Sequence, residues 1–536
     1  MGTLPGGNGV LHDLRPEVAR FAWLSLLAVM AYLLVTRLVT PGFFEPLTPT
    51  HSDVWRYFAF SKTDYIFIDV TSPRPLMILA LKLLGGIDSF PWFVAAILVP
   101  AVLLPATLLR TAEKLFNVAA GPWFAFSYFV LAYTLPSFYE LQTLDFGGCL
   151  SGIVACLCVL AFRRYAMATV NGTSSLLIAV TPFFLAWASI ETKPTYSILL
   201  ASVPFFFATR VGWKKAFLNA VIVCAVVVAI LLKDKYFGSP FLDTSAGSAS
   251  TYKIATGLGD MVESLRFYLH SMLPLGAAPL VAICLYLLGR RFGWKVPLCV
   301  AVISVLAVAP MVAIPRNKLA MYGWFGTSLL LLPLALVHVD SLRGRIERPV
   351  TVALLWVCMA IGLVAIIRSQ PDVRFWYGYN QKMSANAYAG IRALQSRVQP
   401  GERVLFVGGI NAYSPFKNDG FIKANFPYDF EWKVAIPAVD AVLIPMSTDT
   451  TRLIEGRQVR SVDFDKVVYF NKDSRLVRID DARSLDALSP GALINALYCR
   501  QGKPADVPAE LGCLQAIKEE GAFAELQAAS TVPPAQ

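Results

Sequence analysis

Long apolar runs follow one another along the chain from Phe21 to Ile367, and they restrict its fold more than any other feature. Runs of about 17–25 apolar residues can cross a bilayer as helices. Inside a membrane the backbone finds no water, so a spanning segment is a helix or part of a closed barrel. The runs are continuous rather than alternating, which predicts helices. We expect about eleven: Phe21–Val39, Trp92–Leu109, Pro122–Leu135, Phe146–Phe162, Leu176–Ile190, Tyr196–Thr209, Ala216–Leu232, Met272–Leu288, Val296–Ile314, Leu319–Val337 and Val350–Ile367.

The composition agrees with this interpretation. Hydrophobic residues make up 56% of the 536 residues, and charged residues only 15%. Soluble domains are about 45–50% apolar and about 25% charged. This excludes disordered, collagen-like and disulfide-scaffold proteins and predicts an α-helical polytopic membrane protein.

Ten of the eleven net positive charges come from the apolar part of the chain. From Arg368 onward there are 20 basic and 19 acidic residues, so the preceding part has 27 and 17 of the 47 and 36 in total. A basic excess near membrane spans follows the positive-inside rule, so it gives no reason to expect a nucleic-acid partner.

The basic clusters also predict the orientation. The run Pro75–Leu84 is too short to span, and we expect an interfacial or re-entrant helix on the outer face there. With that run left out, all basic loop clusters lie on one side, which we assign to the cytoplasm. The resulting parts are a cytoplasmic tail (1–20), a transmembrane module (21–367) with outer loops 40–91 and 233–271, and a periplasmic or extracellular domain (368–536).

Loop 233–271 is rich in Gly, Ser and Ala around Asp243–Ser250 and ends in a predicted amphipathic helix, Leu258–His270. This composition would suit a mobile lid over a bound lipid carrier, and it is equally consistent with a disordered loop. The C-terminal domain should be α/β. A helix is predicted at Asn386–Arg397, and short strands at Val404–Val407, Ala441–Ile444, Val467–Phe470 and Leu476–Ile479.

Two cysteines, Cys499 and Cys513, belong to this outer domain. A disulfide between them is one interpretation, since the compartment is oxidising, and two free thiols are the other.

The first outer loop contains the most concentrated polar stretch near the membrane. Asp53, Arg56 and Tyr57 stand at i, i+3 and i+4, and share one side of a helix. A carboxylate can accept a proton from an acceptor hydroxyl or amine, and a guanidinium can bind a phosphate with two hydrogen bonds. The alternative is a surface salt bridge. Arg74, between two prolines, could bind a lipid phosphate or simply extend to the interface.

These residues resemble a known pattern. Asp53-x-x-Arg56-Tyr57, then Pro73-Arg74-Pro75-Leu76 ahead of an apolar run, is similar to the membrane glycosyltransferases of the GT-C superfamily. Within this superfamily the residues resemble those of the lipid A aminoarabinose transferases and the protein O-mannosyltransferases, and the O-antigen glucosyltransferases are similar in layout. The resemblance implies a polyprenyl-phosphate-linked donor, two interfacial helices in the first outer loop, Asp53 as the catalytic carboxylate, and Arg56 and Arg74 as phosphate ligands.

The chain departs from the aminoarabinose enzymes in one respect. Those enzymes typically have a second acidic residue after the first Asp and a Lys in the basic-proline element, where this chain has Val54 and Arg74. The identity of the sugar therefore does not follow from the resemblance.

Other charged residues stand at the outer ends of the predicted helices, where each is either an ordinary loop charge or part of the site. Lys193, Arg316 and Lys318 could complete a cationic pocket for the leaving phosphate. Glu191 could orient Lys193 or bind the sugar, together with Tyr57. Asp64 and Asp69 are further carboxylates of the first loop. Without a His, Cys and carboxylate cluster, we expect a mechanism that uses no metal and no cofactor.

Together with the resemblance, these residues imply an inverting transfer of a sugar from a polyprenyl-phosphate donor to a cell-envelope glycan or lipid acceptor. A polysaccharide polymerase or ligase and a lipid-carrier flippase or transporter remain as alternatives. A flippase should place charges at mid-depth in the bundle, whereas these stand at the outer rim.

Overall fold

The computed structural model describes most of the apolar part and a smaller share of the C-terminal part. The described residues are 8–39, 52–62, 75–236, 257–272, 277–314, 319–336, 347–368, 371–408, 421–422, 425–426, 430–435, 451–454, 457–460, 465–470 and 474–481. The chain divides into two compact units. The helical unit comprises Met1–Pro46, Ile66–Leu83 and Ala95–Arg374, and the mixed unit comprises Leu47–Tyr65, Leu84–Val94 and Phe375–Gln536.

The described part is mostly helical. In chain order the α-helices are α1 (Asn8–Val39), α2 (Ser52–Lys62), α3 (Pro75–Leu83), α4 (Phe90–Phe116), α5 (Pro122–Thr134), α6 (Pro136–Leu144), α7 (Phe146–Val170), α8 (Leu176–Thr192), α9 (Ser197–Phe206), α10 (Ala208–Val211), α11 (Trp213–Tyr236), α12 (Leu258–Met272), α13 (Ala278–Phe292), α14 (Lys295–Val312), α15 (Trp324–Leu336), α16 (Glu347–Arg368) and α17 (Pro371–Leu394).

Every predicted apolar run contains a helix, although the bounds differ. Five helical segments within the described residues are long and apolar enough to cross a membrane: Pro16–Thr36, Phe90–Phe116, Phe146–Val170, Trp213–Lys233 and Lys295–Val312. The other runs lie in helices with a shorter apolar part, so eleven crossings remain a prediction. The chain is therefore a helical protein with several membrane-crossing candidates.

Local backbone chemistry explains where several helices end. Pro136 starts α6 and cannot continue the hydrogen bonding of α5, so the run that begins at Pro122 breaks after Thr134. Gly212 and Gly293 have φ of 89° and 88°, which other residues rarely adopt, and they separate α10 from α11 and α13 from α14.

The helical unit packs around aromatic side chains. α7 lies along α8, while α15 contacts both α5 and α14. Trp324, Tyr128 and Tyr133 are fully buried in this core. Other apolar side chains, such as Leu176 and Leu177, remain more than three-quarters exposed. Exposed apolar faces of this kind are what lipid-facing helices present.

A network of charges joins the first part of α1 to the end of α4. The Glu113 side chain is 1% exposed, and it accepts hydrogen bonds from Arg20, from Arg110 at 2.8 Å and from the Ala120 backbone N–H at 2.8 Å. Glu17 accepts from Arg110 and Lys114, and its side chain is 40% exposed. Several donors thus compensate the burial of the Glu113 carboxylate.

The mixed unit contains the strands β1 (Arg403–Gly408), β2 (Glu431–Ala435), β3 (Thr451–Ile454), β4 (Arg457–Arg460), β5 (Lys466–Phe470) and β6 (Leu476–Asp481). Four of them form a sheet in the order β2-β1-β5-β6, and β3 pairs with β4. β1 runs parallel to β2 and β5, and β6 runs antiparallel to β5. Three predicted strands are thus confirmed, while Ala441–Ile444 lies outside the described residues.

The predicted helix Asn386–Arg397 is the C-terminal half of a longer one. α17 already begins at Pro371, and it ends at Leu394. The sequence prediction placed its start too late because residues 371–385 are mostly polar and aromatic. Gly378 lowers the helix propensity of this segment by about 1 kcal/mol, yet the helix continues through it. Pro371 occupies the first helical position, where proline is tolerated.

Candidate functional site

Helix α2 bears the Asp-x-x-Arg-Tyr motif in the first loop. The backbone is helical from Ser52 to Lys62, so positions 53, 56 and 57 share one side of the helix, as expected. Asp53 lies in the first turn, where the amide groups of a helix favour a negative charge. For Asp53 and Arg56 the structure describes the backbone only.

Aromatic stacking fixes the other side of α2. Trp55 is completely buried, and its ring lies against that of Phe90, with centroids 3.8 Å apart and planes inclined by 12°. Tyr388 of α17 stacks on the same indole at 5.6 Å, and Phe421 meets it edge-on at 5.0 Å. Phe58, one turn along, contacts Phe90 at 5.1 Å. The helix is therefore held by rings from three separate parts of the chain.

A second set of contacts fixes the end of α2. The Lys62 ammonium donates to the carbonyl oxygen of Gly85 and to Asp88 Oδ1, both at 2.6 Å. Gly85 packs so closely that a Cβ added there would stand 2.5 Å from the carbonyl oxygen of Ser61. The Lys62 hydrogen bond lowers the pKa of the Asp88 carboxyl.

The short helix α3 follows α2 along the chain. The run Pro75–Leu84 was expected to form a short helix, and α3 spans Pro75–Leu83. Met77 and Leu81 are buried. The Met77 sulfur would stand 2.9 Å from a Cβ at Gly147, so the missing side chain at Gly147 allows α3 to approach the start of α7. The interfacial or re-entrant position of α3 remains a prediction.

A buried ion pair joins the start of α7 to the end of α8. The Lys193 ammonium donates to Asp145 Oδ1 at 2.6 Å, and the two side chains are 11% and 4% exposed. Asp145 is also the N-cap of α7, since Oδ1 accepts from the Gly148 N–H at 2.7 Å. The Lys193 ammonium lies 5.0 Å from the centre of the Tyr322 ring, within cation–π range.

Hydroxyl groups support the same junction. Ser151 Oγ lies 2.9 Å from the carbonyl oxygen of Ser189 and 3.0 Å from that of Lys193. Lys193 caps α8 in an extended conformation, and the chain continues into a 3-10 turn at Pro194–Tyr196. The backbone around the cation is thereby fixed as well as the side chain.

A second ion pair lies near the same helix end. Glu191, 6% exposed, accepts from Lys233 of α11. Glu191 was suggested to orient Lys193, but among the described contacts Lys193 pairs with Asp145 and Glu191 with Lys233. Lys233 was not among the predicted site residues. Its position as the first charge after a long apolar run was the available indication.

Glu140 completes this group of charged side chains. Its Oε2 accepts from the backbone N–H of Met321 at 3.0 Å. An ordinary loop charge is exposed to solvent, whereas Asp145 and Glu191 are buried. Glu140, Asp145 and Glu191, at the ends of α6, α7 and α8, therefore each have a specific hydrogen-bond partner. Within the part of the chain that the structure describes, no three His, Cys, Asp or Glu side chains could hold a metal ion.

Several predicted site residues cannot be placed. They lie outside the described residues: Asp64, Asp69, Arg74, Arg316, Lys318, Cys499 and Cys513. Of the remaining ones, Tyr57 is half-buried on α2, and Glu191 and Lys193 occupy the end of α8.

The fold and these contacts define a helical, membrane-type protein with buried charge pairs at helix ends. No protein-family model and no curated protein matches the chain. Among solved structures, the chain is similar to a mutant of the mycobacterial arabinofuranosyltransferase AftD, with a TM-score of 0.37 and 14% identity. The match covers 84% of this chain and 36% of that one, so this chain spans about a third of its length. At this TM-score the likeness carries no functional conclusion.

Proposed function

We propose that the chain is a membrane glycosyltransferase that transfers a sugar from a polyprenyl-phosphate donor to a cell-envelope glycan or lipid. One observation carries the proposal: α2 is helical and places positions 53, 56 and 57 of the motif on one side. Two short helices, α2 and α3, follow each other between the long apolar helices α1 and α4. This order is the one that the resemblance to GT-C enzymes implies.

In this proposal Asp53 is the general base. Its carboxylate takes the proton of the acceptor hydroxyl or amine while the acceptor atom attacks the anomeric carbon of the sugar. The bond between that carbon and the phosphate oxygen breaks, and polyprenyl phosphate leaves with the electron pair. A single displacement inverts the configuration at the anomeric carbon. Neither a metal ion nor a cofactor is part of the proposal.

Cations stabilise the charge that develops on the leaving phosphate. Arg56 and Arg74 are assigned to this task because a guanidinium binds a phosphate through two parallel hydrogen bonds. Lys193, Arg316 and Lys318 are proposed to add further charge. The ammonium of Lys193 has three donors, and its contact with Asp145 uses only one. Tyr57, Asp64, Asp69 and Glu191 are proposed to contact the sugar or acceptor.

The proposed setting is a bacterial inner membrane with a cytoplasmic N-terminus. The donor and membrane lipids would be the partners within the bilayer, and the acceptor would approach from the periplasmic side. The positive-inside distribution of the loop charges supports this orientation.

The test is a deletion strain complemented with single variants, with surface glycans analysed by mass spectrometry. Deletion should remove one sugar from a glycan or lipid. Asp53→Asn should reduce the product by roughly 10²–10⁴-fold, the usual contribution of a general base. The matched control Asp465→Asn changes an exposed carboxylate of the C-terminal sheet and should restore the product. Full product with Asp53→Asn would exclude Asp53 as the base.

A further inference from the structure

We propose that the C-terminal part of the chain positions the candidate catalytic helix α2, and that Trp55, Tyr388 and Phe421 are the positioning residues. This inference rests on the proposed function of α2. It gives the C-terminal part a task at the active site beyond that of a separate outer domain.

The contacts that carry the inference form a column of rings. Trp55 stacks on Phe90, with ring centroids 3.8 Å apart, and on Tyr388, with centroids 5.6 Å apart and planes inclined by 30°. Arg392, one turn further along α17, lies 5.8 Å from the centre of the Tyr388 ring. Phe421 closes the side of the indole. Of these three rings in contact with Trp55, Tyr388 and Phe421 therefore come from the C-terminal part.

Helix geometry connects this column to the motif. Trp55 stands two residues after Asp53 and one before Arg56. Because a helix turns by 3.6 residues, Val54, Trp55 and Phe58 lie on the side opposite Asp53, and all three are buried. Rotation or sliding of α2 would move positions 53, 56 and 57 together. The stacked indole resists both movements.

Stacking, rather than hydrogen bonding, holds the indole. Trp55 Nε1 is buried and has no hydrogen-bond partner among the described residues. A phenyl ring at position 55 should therefore keep most of the positioning effect, whereas an aliphatic side chain should lose it. The same holds for Tyr388, whose contacts with Trp55 and Arg392 use the face of its ring.

The experiment measures hydrogen exchange of the 52–62 peptide in the full-length protein. Tyr388→Leu and Phe421→Leu should accelerate exchange there by roughly three- to tenfold, which corresponds to the loss of one aromatic contact. Tyr388→Phe should restore the slow exchange. The matched control is Phe406→Leu, which changes a buried ring that contacts Phe430 and Phe470 in the sheet. This variant should leave the hydrogen exchange of the 52–62 peptide as slow as in the unchanged protein.

Function is tested on the same variants. Binding of undecaprenyl phosphate, used as the probe, should weaken by a similar factor in Tyr388→Leu and recover in Tyr388→Phe. The surface glycan product should follow the same order.

Three results would overturn the inference. The first is unchanged exchange in Tyr388→Leu, and the second is equal acceleration in Phe406→Leu. The third is a loosened α2 with unchanged probe binding and product, while Asp53→Asn is inactive. If instead Asp53→Asn retains full product, the proposed function itself fails, and the two failures are thereby distinguished.

Discussion

The ammonium of Lys193 donates a hydrogen bond to Asp145 Oδ1 at 2.6 Å, and the two side chains are only 11% and 4% exposed. The residues are 48 positions apart in the chain, and their pairing joins the beginning of α7 to the end of α8. A charge buried to this extent depends on its partner, because either group alone would be left without compensation.

The first prediction follows from this dependence. Lys193→Met or Asp145→Asn should each lower the free energy of unfolding by about 3–5 kcal/mol, the usual effect of breaking a buried pair. Asn still offers an oxygen to the Gly148 N–H, so the cap of α7 remains. The double variant should be less destabilised than the two single effects combined. Thermal unfolding in detergent measures all three.

The control for this double-mutant cycle of Lys193 and Asp145 is Asp88→Asn. The Asp88 side chain is 97% exposed and pairs with Lys62, so its loss should leave the unfolding temperature unchanged. Strict additivity in the Lys193 and Asp145 cycle would show that the two charges are independent, contrary to the geometry.

The second prediction concerns Glu113, which is 1% exposed and accepts from Arg20, Arg110 and the Ala120 N–H. Glu113→Gln should destabilise the protein by about 3–5 kcal/mol, because two guanidinium groups lose their common anion. The matched variant Glu17→Gln removes a carboxylate that is 40% exposed and should cost only about 0–1 kcal/mol. Equal unfolding temperatures for the two variants would contradict a buried structural role for Glu113.

The sequence predicted where helices form, because apolar runs and prolines act locally. Pro136 and Gly212 end helices through their own backbone chemistry, which can be read from the sequence. It did not predict that Asp145 and Lys193 are neighbours, or that Glu191 pairs with Lys233. Such pairs form when helices distant in sequence pack together, and a single sequence carries no record of that packing.

In the candidate site, too, the sequence predicts local features but does not predict contacts between distant parts of the chain. The motif position on α2 follows from spacing alone, since residues at i, i+3 and i+4 always share one side of a helix. Trp55 and Tyr388 are far apart in the chain, so their contact cannot be predicted from the spacing of residues. In the sequence each is simply an aromatic residue of a helix.

The third prediction concerns pH and the C-terminal sheet. Hydrogen bonds from the Arg403 side chain and backbone N–H hold the pKa of Asp465 below its usual value of 3.8. The folded state therefore binds protons less readily than the unfolded state. The stabilising contribution is complete above the unfolded pKa and disappears as the pH falls through the folded one.

Hydrogen exchange of the 403–408 peptide, corrected for intrinsic rates, should therefore accelerate as the pH drops below about 4. Arg403→Gln should flatten this dependence. The effect should be small, since both side chains are close to half exposed and solvent screens the pair. If Arg403→Gln shows the same pH dependence of exchange as the unchanged protein, the Arg403–Asp465 pair is not the cause of that dependence.

The fourth prediction uses two neighbouring glycines that differ only in their surroundings. A Cβ at Gly85 would stand 2.5 Å from the Ser61 carbonyl oxygen, whereas a Cβ at Gly86 would have nothing within 4 Å. Gly85→Ala should therefore push the end of α2 away, weaken the Lys62 hydrogen bond to the Gly85 carbonyl, and cost about 1–3 kcal/mol. Gly86→Ala should be nearly neutral. Hydrogen exchange of the 52–62 peptide and the glycan product both measure the displacement, and an equal response of the two variants would show that the contact does not position α2.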